Sequence, residues 1–137
     1  MKLTGSNEKP RLFLFFSHVM TEAQASDARR ILGVSDIFHL PTHLVNQWGS
    51  VDPSAESLES TAVPFKEWLS ANARTGDLVL VQGDFGLTYI MVNYAFGMGC
   101  VPVYSTTERV AGEKQGEGGA VELTKTVRHV IYRRYER

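Results

Sequence analysis

The chain has 137 residues, a formal net charge of −1 at pH 7, and is 43% hydrophobic and 21% charged. That size predicts one compact domain, residues 1–137, with enough apolar material for a real core, and it excludes disordered and collagen-like classes. The near-even charge balance excludes the strongly positive field of a protein that coats duplex nucleic acid, while a local basic site for a small anionic ligand stays open.

The opening "MKLTGSNEKPR" is too poor in apolar residues for a signal peptide, and no later segment approaches the roughly 20 apolar residues that span a bilayer. A cytoplasmic setting with no membrane partner is the simplest expectation. "RLFLFF", Arg11 to Phe16, is a short continuous apolar run, which suits a strand buried on both faces and placed centrally. Thr21 stands where a helix N-cap would, Glu22 and Gln24 fill the opening turn, and Ala23, Ala28, Ile31 and Leu32 give an apolar face up to a stop at Gly33. "DIFHL", ending at Pro41, reads as a second, less apolar strand near a sheet edge.

From Pro41 to Pro53 the prolines, glycine and polar residues predict a loop, with "THLVNQWG" able to make a short helical turn. Ser54 to Arg74 carries Leu58, Ala62, Phe65, Trp68, Leu69 and Ala73 at three- and four-residue spacings, the pattern of a helix bent or entered at Pro64. "LVLVQG" is a third strand. Thr88 to Gly99 is apolar nearly all round and predicts a buried helix ended by its glycines. "CVPVYST" is a fourth strand, and its Cys100 is the one cysteine, which rules out a disulfide framework or cysteine-rich zinc site within a chain and suits a buried, inert thiol. "AGEKQGEGG" reads as a turn, and "VELTKTVRHVIYRRY" as one long strand or a hairpin arm.

This order predicts an α/β, Rossmann-like fold: a mainly parallel sheet flanked by helices, with a C-terminal β-hairpin. Ligands of such sheets bind outside the carboxyl ends of the strands where strand order reverses. In a 2-1-3-4 order that point falls between the first and third strands, whose ends are "FFSH" and "VQGDFG".

In "VQGDFG", Gly83 and Gly86 permit unusual backbone torsions and close approach of a ligand, and the amides from Phe85 to Thr88 would open a helix and attract phosphate oxygens. The turn lacks the lysine of a phosphate-binding P-loop and the third glycine of the dinucleotide fingerprint. Its "DFG" letters come without the other protein-kinase motifs. A purely structural turn capped by Asp84 fits the local pattern equally well. Ser17 and His18 end the first strand, a hydroxyl and an imidazole facing the same crevice, with His18 able to move a proton near neutral pH. His39, His43 and His129 have no zinc-ligand spacing. "STTER" after the fourth strand brings Ser105, Thr106, Thr107 and Arg109 to a third strand end, where arginine binds two phosphate oxygens at once; a plain turn with a solvated arginine fits the same letters. The C-terminal arginines among Tyr132 and Tyr135 suit a nucleic-acid surface, a charged edge strand or a dimer contact.

Taken in order, "LFLFFSH", "LGV", "FKEWL", "GDLVLVQGDFGLTYIMVNYAF" and "PVYSTTERV" resemble a small accessory family of CRISPR-associated Csx proteins of type III systems, from about Leu12 to Val110. The resemblance implies a ring nuclease related to the CARF (CARF-like) group of Rossmann-like domains. Its ligand would be a cyclic oligoadenylate, cyclic tetra-adenylate before other ring sizes, and its degradation would switch off an antiviral response. It also implies a homodimer with a two-fold cleft. Such a ring carries its own nucleophile, because each 2′-hydroxyl can attack the adjacent phosphate, so no metal and no cofactor are expected. On this reading His18 assists proton transfer, and Arg109 and Thr106 stabilise the phosphate that the amides at Gly83 to Gly86 position. Ser17, Gln82, Asp84, Thr88 and Thr107 would hold ribose, adenine or phosphate, and Phe85 or Tyr89 would stack on adenine. A binding protein that sequesters the ring without cutting it needs the same cradle, and an interaction subunit with no nucleotide site is the third reading.

Overall fold

The computed structural model describes residues 8–115 and 121–137. In chain order it contains β1 (Leu12–Phe15), α1 (Glu22–Arg30), β2 (Ile37–His39), α2 (Thr42–Trp48), α3 (Glu59–Asn72), β3 (Leu78–Val81), α4 (Phe85–Gly97), β4 (Val101–Gln115) and β5 (Val121–Arg134). The sheet order is β2-β1-β3-β4-β5. The β1–β2, β1–β3 and β3–β4 pairs are parallel and β4–β5 is antiparallel. The fold is α/β, a mainly parallel sheet with helices on both faces and a C-terminal hairpin. β3, rather than β1, is the middle strand, and β2 lies at the edge.

β1 and β3 are buried at every position, as strands covered on both faces must be. Alternation along them divides the core in two. Phe13, Phe15, Val79 and Val81 point to the face covered by α2, α3 and α4, where Trp48, Phe65, Leu69, Leu87 and Met91 pack. Leu12, Leu14, Leu78, Leu80 and Val103 point to the other face, against Ala28 of α1 and Tyr132 of β5. Among the described residues no helix is long and apolar enough to cross a membrane.

Three elements differ from the sequence expectation in ways that shape the site. Thr42–Trp48 is a helix, not a loop, because Leu44 and Trp48, one turn apart, both bury against the sheet, and the fixed φ of Pro41 suits a helix entrance. α4 begins at Phe85, three residues earlier than its apolar run, because Asp84 caps it. β4 continues to Gln115, so Ala111 to Gln115 belong to a strand rather than a turn, and the rest of the expected turn lies outside the described residues. Pro64 sits inside α3, five residues after its start.

β4 leaves the parallel sheet after Val103, its last partner of β3, and runs on as a two-stranded ribbon with β5. The ribbon register shifts between Ser105↔Tyr132 and Thr107↔His129, so β5 carries one extra residue there.

Candidate functional site

At the carboxyl ends of β1 and β3 the chain forms a crevice of about 310 Å³ lined by Ser17, Trp48, Gly49, Val51, Gly83 and Asp84. It lies at the switch point expected from the strand order. Trp48 makes its floor. The indole packs edge-on against Phe15 and Phe65, at 5.6 and 5.1 Å between ring centroids, and its Nε1–H donates to the Gln82 carbonyl at 2.8 Å. That packing explains Gly83: a Cβ there would stand 2.5 Å from Trp48 Nε1, so the glycine makes room for a ring rather than for an unusual torsion. Gly49 likewise lets the end of α2 approach Ser17, whose Cβ lies 3.0 Å from where a Cβ of residue 49 would be. Trp48 and Gly49 are site residues that sequence reasoning missed, although the four-residue spacing of Leu44 and Trp48 before a glycine was the available signal.

Asp84 caps α4. Its carboxylate accepts the Leu87 N–H at 3.0 Å, and its carbonyl accepts the Thr88 N–H at 2.8 Å. Two helix-start donors, the N–H groups of Phe85 and Gly86, are left without a hydrogen bond among the described residues. Phe85 itself is 95% exposed and Tyr89, one turn on, is 72% exposed. Gln82 is engaged: its side-chain oxygen accepts the Ser105 N–H at 2.7 Å, which ties β3 to β4 just beyond their last paired residues. Ser17 and His18 are both exposed on the loop after β1. The His18 ring meets Phe16 edge-on, with centroids 6.2 Å apart, and makes no hydrogen bond among the described residues.

The expected residues of β4 lie differently. Thr106 seals the irregularity in the ribbon, its hydroxyl donating to the Ile131 carbonyl and accepting the Ile131 N–H, each at 3.1 Å. Thr107 and Arg109 are exposed on the ribbon, Arg109 opposite Val127. Four residues of strand place Arg109 about 13 Å beyond Ser105. Ser17, Gly83 and Asp84 are therefore brought together at the crevice and Phe85 and Tyr89 beside it. Thr106, Thr107 and Arg109 are carried past it.

A buried polar chain sits behind the rim. The Ser105 hydroxyl is 2.6 Å from His129 Nδ1, and His129 Nε2 is 2.9 Å from Asp27 Oδ2. The carboxylate can only accept, so Nε2 carries a proton directed at Asp27, and Nδ1 pairs with the Ser105 hydroxyl. Gln24 Nε2 donates to the same hydroxyl at 3.3 Å, and the Tyr132 hydroxyl donates to the Gln24 carbonyl at 2.9 Å. Hydroxyl, imidazole and carboxylate follow one another as in a nucleophilic triad, but Ser105 is 6% exposed and lies under Gln24, so a substrate has no approach to its oxygen. What the chain does is fasten the ribbon to α1. Burial, and secondarily Asp27, push the Tyr132 phenol well above its ordinary range.

A mainly parallel sheet with a ligand-sized crevice at its switch point, and open helix amides beside it, defines a Rossmann-like α/β protein. The chain belongs to the family described as "Uncharacterized protein MJ1673 family", whose model matches residues 10–133 and so spans both the rim and the ribbon. It is 39% identical over 126 residues to "Uncharacterized protein MJ1673" of Methanocaldococcus jannaschii, an alignment covering 92% of this chain and 97% of that protein. No solved structure matches the chain.

Proposed function

We propose that the protein binds a cyclic oligoadenylate, cyclic tetra-adenylate before other ring sizes, and opens it as a metal-independent ring nuclease. In this reading it is a cytoplasmic homodimer that removes the second messenger of a type III CRISPR response. The observation that carries the reading is the group at the end of β3: the free N–H groups of Phe85 and Gly86 and the solvent-facing ring of Phe85, beside the 310 Å³ crevice. Amides at a helix start take phosphate oxygens, and an exposed aromatic face takes a base.

The reaction needs little from the protein. The 2′-oxygen of one ribose attacks the adjacent phosphorus, forming the O2′–P bond while the P–O5′ bond breaks, and the products are a 2′,3′-cyclic phosphate and a 5′-hydroxyl. One proton leaves O2′ and one arrives at O5′, and His18 is the side chain at the rim suited to carry it. Holding the ribose in line supplies the larger part of the acceleration. Because Thr106 is occupied by Ile131 and Arg109 stands out on the ribbon, the phosphate falls to the Phe85 and Gly86 amides of its own chain. Thr107 and Arg109 then serve the crevice of a second copy.

One observation favours a second reading, binding without cleavage: His18 has no hydrogen-bond partner among the described residues to orient it. Chromatography of cyclic tri-, tetra- and hexa-adenylate after incubation with the protein in EDTA separates the two. Conversion of the tetra-adenylate ring to linear product, slowed at least tenfold in His18→Ala, is the expected result. Recovery of an intact but protein-bound ring leaves the sequestering role, and absence of binding to every ring overturns the proposal.

A further inference from the structure

One side of α4 is a stripe of aromatic and apolar residues. Phe85, Tyr89, Val92 and Phe96 follow each other at spacings of four, three and four residues, on one side of the helix over about 16 Å. The facing wall is the segment after β5. Tyr135 is fixed there by its hydroxyl, which donates to the Val81 carbonyl at 2.6 Å, at the end of β3, and by its N–H, which donates to the Pro102 carbonyl at 3.0 Å. The Arg137 guanidinium lies 4.9 Å over the Phe96 ring, and that of Arg133 lies 5.5 Å over Tyr104. Among the described residues neither arginine is ion-paired. The groove has a volume of about 300 Å³, and a separate cavity of about 310 Å³ shares Tyr135 and Glu136 in its lining.

We propose that this groove binds one nucleotide, its base laid on Tyr89 and its phosphate held by Arg137. Aromatic rings stack on any base, and guanidinium groups already lying over rings meet phosphates at little cost in side-chain ordering. A volume near 300 Å³ is at the small end for ligand pockets, so it suits one unit and not a whole ring. Glu136 in the shared wall accepts hydrogen bonds only, which favours a base with an exocyclic amine, such as adenine, and keeps the phosphate toward Arg137. Thr88 also lines the α4 wall, but its hydroxyl is buried, without a partner among the described residues, and faces away from solvent. The inference rests on the nucleotide-binding reading above and extends it: the groove begins at Phe85, beside the free rim amides, so one adenylate of a bound ring would continue into it.

The test measures equilibrium binding of AMP and, separately, of cyclic tetra-adenylate to the wild type, Tyr89→Ala, Tyr89→Leu and Arg137→Gln, with thermal midpoints for each. Phe38→Ala, an exposed aromatic on the far edge of the sheet, is the control. Tyr89→Ala is expected to weaken AMP binding about tenfold, as loss of one base-stacking ring does. Arg137→Gln is expected to weaken it comparably and to flatten its salt dependence. Phe38→Ala leaves it unchanged. If AMP does not bind the wild type, or binds every variant equally, the groove proposal falls, whatever the ring does. If AMP shows the expected sensitivities while the ring does not bind, the ring reading falls and the groove stands. If sedimentation shows that the variants turn a dimer into a monomer with AMP binding unchanged, the stripe is a subunit contact and the proposal is overturned.

Discussion

Gly83 and Asp84 are neighbours in sequence with separate jobs. A methyl group at 83 would press on Trp48 at 2.5 Å, and Trp48 is held from the other side by Phe15 and Phe65. The ring has nowhere to retreat without giving up its hydrogen bond to Gln82. Overpacking costs about 1–3 kcal/mol and a lost hydrogen bond about 1 kcal/mol. Gly83→Ala is therefore expected to lower unfolding stability by about 2–4 kcal/mol in urea titrations followed by tryptophan fluorescence, and to narrow the crevice. Asp84→Ala should lose only the cap, about 1 kcal/mol. If both variants cost the same, the distinction drawn between steric relief at 83 and capping at 84 is wrong. The sequence left Asp84 open between a ligand role and a cap, since a carboxylate followed three residues later by an apolar residue fits both. Its contact with the Leu87 N–H shows that one of its carboxylate oxygens caps the helix.

Among the elements, the ribbon was the least legible. A long β-branched and aromatic run showed that β5 is a strand, and a local pattern of period two shows nothing about where its partner strand ends. "STTER" is expected to lie past the end of the fourth strand, yet pairing with β5 keeps those residues extended. The Ser105–His129–Asp27 chain was equally out of reach, as its members come from three elements separated by up to 102 residues. It has a mechanical consequence. Ser105→Ala leaves His129 Nδ1 buried without its hydroxyl partner and is expected to cost about 1–2 kcal/mol. His129→Ala removes both links to the chain and is expected to cost about 2–3 kcal/mol. Hydrogen exchange should quicken in 126–134 in both variants while exchange in β1 and β3 is unchanged. Ring binding should survive Ser105→Ala, and a complete loss of ring opening in a stably folded Ser105→Ala protein would make the serine chemical after all.

For the molecule as a whole, topology was readable because β1 and β3 are continuous apolar runs separated by helix-length segments, a combination that leaves few arrangements other than a parallel sheet. The same burial creates a pH dependence that does not involve the site. Cys100 lies immediately before β4, 4% exposed, and burial, followed by the charge of Asp77, raises its thiol from 9.0 to about 11. Above pH 9 the unfolded chain loses this proton while the folded chain keeps it, so ionisation favours unfolding as the pH rises. The contribution is complete below pH 9, declines between pH 9 and 11 and is gone above that, at most about 2–3 kcal/mol. Tyr132 and Tyr135, raised from 10.0 by burial, add losses of the same sign that begin a unit higher. The interval from about pH 8.5 to 10 therefore isolates the thiol. Urea midpoints in that interval should fall with pH for the wild type and stay nearly level for Cys100→Ala, whose missing sulfur lowers stability equally at every pH. Parallel slopes for the two proteins would mean that the thiol ionises alike in the folded and unfolded chains, and that the alkaline limit of this fold is set by its tyrosines.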